Sequence, residues 1–150
     1  PPVEGRIAGA RAAMHEHDLE MPKAFVQTGD PSDPKFVRGF IKSQQLEAVM
    51  CTTDLVAAKF LQTLSRINIS VPQEIRLVGF DDLRVASLLT VPLTTMHQPC
   101  RDIAITAFNC LLERMSDPTL PLRAILLSPR LVVRHSCGAY LKASGAGTSL

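Results

Sequence analysis

No stretch of the 150 residues approaches the roughly 18 consecutive apolar residues that a membrane-spanning helix needs. The opening PPVEGRIAGARAAM lacks the apolar core of a signal peptide, and it starts on Pro-Pro without Met, as expected of a fragment. Cysteine is scarce: Cys51, Cys100, Cys110 and Cys137 form no C-x-x-C pair, which excludes zinc and iron–sulfur spacings. So few thiols in a chain of this size fit free cysteines in a reducing compartment, the cytoplasm. Basic charge is not concentrated either. The 16 Lys and Arg stand against 14 Asp and Glu and are scattered along the chain. A domain that grips DNA gathers its cations on one stripe to displace counterions, so this chain is not expected to touch phosphate itself. GxSxG, GxxxxGK[ST], HExxH and GxGxxG are all missing. No catalytic residue, metal ligand or cofactor is therefore expected. What remains, 46% apolar and 20% charged residues, is the composition of a globular domain long enough to bury one core.

Helical and strand patterns alternate along the chain, the signature of βα units around a parallel sheet. Ile7, Ala10, Arg11 and Met14 predict a helix over 6–17, and AFVQ (24–27) predicts a short strand. GDPSDP (29–34) is a loop, and Phe36, Phe40 and Ile41 open a second helix. AVMC (48–51) is an apolar strand whose end carries Thr52-Thr53-Asp54, one of which caps a helix over 55–66. Cys51 reads as a small core residue. IRLVGF (75–80) is a buried strand, LTTMHQ (93–98) another, and 99–115 repeats apolar residues at helical spacing. AILLS (124–128) and LVVRH (131–135) read as strands, and the residues from 138 onward as a frayed tail.

Ligands of open parallel sheets bind beyond the carboxyl ends of the strands. That rule gathers Thr52-Thr53-Asp54, Phe80-Asp81-Asp82 and Gln98 around one mouth. Asp81 leaves the central strand and can accept two hydroxyl hydrogen bonds, or organise the loop. Asp82, before LRVAS, reads as a helix cap, and Asp54 equally as cap or ligand. His15 and His17 flank Glu16 on a solvated surface, and His97 is a lone structural strand histidine. Two adjacent carboxylates also suit Mg²⁺ and phosphoryl transfer, but no lysine signal accompanies them.

The motifs TD-x-x-A, VP-x-x-I-x-LVGFDD and LTT-x-x-QP, with LSPRLVVRHSC near the end, carry a resemblance. From Arg6 to Cys137 the chain resembles the lactose/galactose repressor (LacI/GalR) family of bacterial transcription regulators. The resemblance implies an α/β fold: a three-layer, Rossmann-like, periplasmic-binding-protein-like second lobe with closing segments of the first lobe. Residues 1–98 would be the second lobe, 99–128 a helix and strand of the absent first lobe, and 129–137 a final strand returning to the second. It implies a small-molecule effector, a carbohydrate or derivative, held by Arg6, Thr53, Asp54, Asp81 and Gln98. DNA would be bound only through a separate N-terminal domain. Pro31 stands where many members place an aromatic platform and Cys100 where the pocket often has a larger residue, so a stacking sugar platform is not expected there.

Leu55, Ala58, Leu61, Leu88 and Leu89 are more apolar surface than one sheet face needs. The resemblance implies that they form a two-fold homodimer interface, the alternative being that some complete the lobe's own core. The apolar face of 99–128 is expected to pack on a second copy of the chain when the first lobe is absent. The rival functional reading is a solute-binding protein of a sugar transporter.

Overall fold

The computed structural model describes residues 2–141. Four strands form one sheet in the order β1 (Ala48–Met50), β2 (Arg76–Asp81), β3 (Thr94–His97), β4 (Arg130–Val132). The first three run parallel, and β4 lies antiparallel to β3, with Met96 opposite Leu131. This is the largely parallel α/β sheet expected from the alternating patterns.

The helices start where local chemistry allows. In α2 (Pro34–Gln44), Asp33 accepts a hydrogen bond from the Lys35 amide and Pro34 takes the first turn, where no intrahelical N–H is needed. Of the three residues considered for the cap of α3 (Asp54–Arg66), Thr53 serves: its hydroxyl accepts from the Val56 amide. Val37 and Ile41 of α2 and Ala57, Phe60, Leu61 and Leu64 of α3 bury their apolar stripes against Ile75, Leu77 and Leu93. Cys51 lies in the same cluster, and burial pushes its thiol up to about 12.

Gly79 in the middle of β2 is required by close approach. A Cβ there would collide with Asp54 Oδ1 and come within 2.8 Å of Leu93 Cδ2. The opposite pleat of β2 presents Phe80 to α1 (Pro2–Glu16), whose Arg6 lies over the ring. Two further helices are α4 (Arg84–Leu88) and α5 (Cys100–Ser116).

Several expectations are corrected. AFVQ is no strand: Lys23–Phe25 coil into a 3₁₀ turn, and 26–28 find no ladder partner. AILLS is not one either; Leu122 and Leu126 are almost fully exposed, and an apolar run becomes a strand only beside a partner. β4 ends at Val132, earlier than LVVRH suggests, because the chain then turns inward and the His135 and Ser136 amides both donate to the Pro92 carbonyl. Of the expected tail, 138–141 form a turn closed by the Leu141 amide on the Gly138 carbonyl, and 142–150 lie outside the described residues.

The helical pattern of 99–115 is matched by α5, but none of its residues is buried. Phe108, Leu111 and Met115 are more than half exposed, and 120–127 runs alongside to enclose a groove of about 560 Å³ lined by Ile103, Ala107 and Leu111. No helix among the described residues is long and apolar enough to cross a membrane.

Candidate functional site

The carboxyl ends of β2 and β3 meet the first turns of α1 and α3. Asp81, the last residue of β2, accepts a hydrogen bond from Gln98 Nε2 at 2.6 Å and lies 3.8 Å from Arg6 Nη2. The Arg6 guanidinium sits 3.7 Å over the Phe80 ring centroid and donates through Nη1 to the Thr52 carbonyl. The aromatic face, the carbonyl and the carboxylate thus fix one plane for the guanidinium fork. Arg6, Asp81 and Gln98 are all partly exposed. Together they offer a carboxylate acceptor, a forked cation and an amide, a set that matches hydroxyl groups, each of which both donates and accepts.

The structure thus brings together Arg6, Asp81 and Gln98, with Thr53 one residue from the carbonyl that Arg6 holds. The Thr53 oxygen is committed to the cap of α3. Asp54 is different, and here the sequence expectation is corrected. It is fully buried, and it turns inward: Oδ1 accepts from the Thr95 hydroxyl at 2.6 Å and Oδ2 from the Leu83 amide at 2.8 Å. Its carboxylate ties α3 to the segments after β2 and within β3, and it has no face toward the mouth.

Asp82 is not the cap of α4 either. That position belongs to Leu83, with no side-chain hydrogen bond. Instead Asp82 Oδ1 accepts from Arg134 Nη2 at 2.7 Å, and Oδ2 lies 3.0 Å from His97 Nδ1. Burial alone would raise the Asp82 carboxyl; the hydrogen bonds and charges of Arg134 and His97 outweigh it and hold the group below the usual carboxylate range. The two adjacent carboxylates therefore turn to different partners. Thr95 and Arg134 stand within the LTT-x-x-QP and LSPRLVVRHSC motifs, but sequence reasoning gave them no role, since they reach their acidic partners across 41 and 52 residues of chain.

Of the five residues expected at a two-fold interface, Leu55 and Leu88 are more than half exposed and Ala58 is partly exposed. Leu61 is buried in the chain's own core, and Leu89 packs partly against it. For Leu61 the alternative of completing the core is the one realised. Arg6 and Thr52 also border a groove of about 710 Å³ between α1 and β1, lined by Ile7, Met14, Phe25, Phe36 and Phe60; Asp81 and Gln98 do not line it.

The fold is shared with known proteins. Residues 1–137 match the periplasmic binding protein-like domain. The chain is 36% identical over 142 residues to the ribose operon repressor of Escherichia coli (strain K12), covering 90% of this chain and 42% of that protein. It is 35% identical over 139 residues to the HTH-type transcriptional repressor PurR of Shigella dysenteriae, covering 88% and 40%. The chain thus spans about two fifths of the length of these relatives. Among solved structures, a transcriptional regulator CelR–cellobiose complex superposes with a TM-score of 0.79 at 27% identity, covering 87% of this chain and 41% of that one. A putative LacI-family regulator from Sanguibacter keddieii gives 0.75 at 29% identity, with 89% and 52% covered. The chain belongs to the periplasmic binding protein-like domain family, in the form carried by LacI-family transcription regulators.

Proposed function

We propose that this chain is the effector-binding and dimerising part of a bacterial transcriptional repressor that works in the cytoplasm. It binds a small polyhydroxylated molecule, a sugar or sugar derivative, and carries out no catalysis. The observation that carries this reading is Asp81 at the end of the central strand, held between Gln98 and an Arg6 stacked on Phe80. A carboxylate and a fixed guanidinium side by side are suited to bind vicinal hydroxyls. The relatives are repressors, and one structural neighbour is a cellobiose complex.

In the intact protein, residues 1–98 act as the second lobe, and 99–128 belong with a first lobe that closes over the effector. The exposed apolar side chains of α5 support this. Burying the exposed parts of Phe108, Leu111, Leu112 and Met115, each about half exposed or more, is worth about 3–7 kcal/mol in all, too much to leave to water. In the isolated chain the same face would pair with a second copy. DNA is bound by a separate N-terminal domain, whose geometry changes as effector shifts the population between open and closed lobes. Leu55, Ala58, Leu88 and the exposed part of Leu89 form the two-fold contact.

The test is calorimetry on the intact two-lobed regulator against a panel of sugars that includes D-ribose and cellobiose. Saturable binding that falls by about 1.5–3 kcal/mol in Asp81→Ala supports the site, as expected for charged hydrogen bonds. Binding that is undiminished in that variant refutes it.

A further inference from the structure

Asp81 and Asp82 have φ of 116° and 56°. Two consecutive residues with a Cβ in the positive-φ region persist only where the surroundings hold them. The surroundings act at Asp82. Arg134, which donates to Asp82 through Nη2, is itself fixed: Nη1 donates to the Leu93 carbonyl at 2.9 Å, and its amide donates to Thr94 Oγ1 at 2.8 Å. Two residues on, Ser136 is fully buried; its hydroxyl donates to the Leu77 carbonyl at 2.6 Å and accepts from the Thr94 amide at 2.8 Å. The arginine therefore reaches Asp82 from a segment locked onto both β2 and β3. His97, the last residue of β3, closes the other side of the same carboxylate. One residue back, the Asp81 side chain turns to Gln98 and Arg6.

We infer that Asp82 is a positioning residue: clamped by Arg134 and His97, it holds the turn after β2 in the one conformation that aims Asp81 at Arg6 and Gln98. Its own carboxylate is consumed by the clamp and does not serve the ligand. A cap for α4 would explain an aspartate here equally well by sequence, but α4 receives no side-chain hydrogen bond at its start. Backbone need alone would be met better by glycine, which adopts positive φ without steric cost. Glycine has no carboxylate for Arg134 and His97, and that difference separates the two roles. Rigid support of this kind sets how sharply a binding group is aimed.

The experiment is NMR on the full chain, reading hydrogen exchange of the Gln98 side-chain amide. The backbone amides of Leu77 and Thr94, both bonded to Ser136, serve as the reference for an intact lobe. Asp82→Gly relieves the backbone yet removes the clamp. It is expected to speed exchange at Gln98 about tenfold, the change set by one lost charged hydrogen bond, with the reference amides unmoved. Asp82→Asn tolerates positive φ and keeps an acceptor for Arg134, so it should restore most of the protection. Should Asp82→Gly melt the reference amides as well, His97→Ala, which cuts only one side of the clamp, decides on the same readout. Wild-type exchange at Gln98 in folded Asp82→Gly, or in His97→Ala where Asp82→Gly does not fold, overturns the inference. It rests on reading Asp81 as a ligand group, but the experiment uses no ligand. Its failure therefore leaves the sugar site standing, and absence of sugar binding leaves the clamp standing.

Discussion

Replacing Asp54 by alanine separates two roles that the sequence alone leaves open. The carboxylate is fully buried and accepts one hydrogen bond from the Thr95 hydroxyl at 2.6 Å and one from the Leu83 amide at 2.8 Å. A hydrogen bond to a charged group contributes about 1.5–3 kcal/mol, so truncation that removes both should cost roughly 3–6 kcal/mol. That is a large share of the ~5–15 kcal/mol by which a domain is stable. In urea unfolding followed by circular dichroism, with a slope near ~2 kcal/mol per molar, the midpoint should fall by about 1.5–3 M. Asp54→Asn keeps one acceptor oxygen but turns an N–H₂ toward the other donor. Its loss should be about half as large, ~1.5–3 kcal/mol. An Asp54→Ala protein with the wild-type midpoint and weakened sugar binding would refute this reasoning and return Asp54 to the ligand.

Gly79→Ala should destabilise by at least ~1–3 kcal/mol in the same assay, because its Cβ would be forced into Asp54 Oδ1 and Leu93; a neutral change would mean that α3 can move off the sheet. The depressed Asp82 carboxyl gives a pH signature. Its contribution is complete above the ordinary carboxylate value of about 4 and is lost as pH falls through the lower folded-state value, so the stability gap between wild type and Asp82→Asn should be full at neutral pH and close below about pH 4. A gap that is constant with pH would contradict the clamp. Leu88→Glu places a charge on an exposed leucine and should yield a monomer in equilibrium sedimentation with the thermal midpoint little changed, whereas Leu61→Glu should unfold the lobe. A dimer that survives Leu88→Glu would move the interface elsewhere.

Periodicity and caps decided a good part of this protein before any tertiary contact. The apolar spacing of 99–115, a cap for α3 among Thr52, Thr53 and Asp54, and the run IRLVGF (75–80) leading into Asp81 are written within a few residues, because helical hydrogen bonds span only one turn and a buried strand needs only its own apolar side chains. The strand-end rule then located Asp81 and Gln98 beside each other without a coordinate. Tertiary structure decided the rest. AFVQ and AILLS have strand composition, yet neither becomes a strand, since a ladder needs a neighbour that composition does not supply. Asp54 and Asp81 look alike at the ends of their strands, but only one keeps its carboxylate toward the mouth. The other is claimed by Thr95, 41 residues away, because Gly79 leaves room for it to enter the sheet. Asp82 is claimed in the same way by Arg134 across 52 residues. A buried carboxylate must find its hydrogen-bond donors wherever the fold brings them, and that pairing is a property of the folded chain rather than of any segment of it.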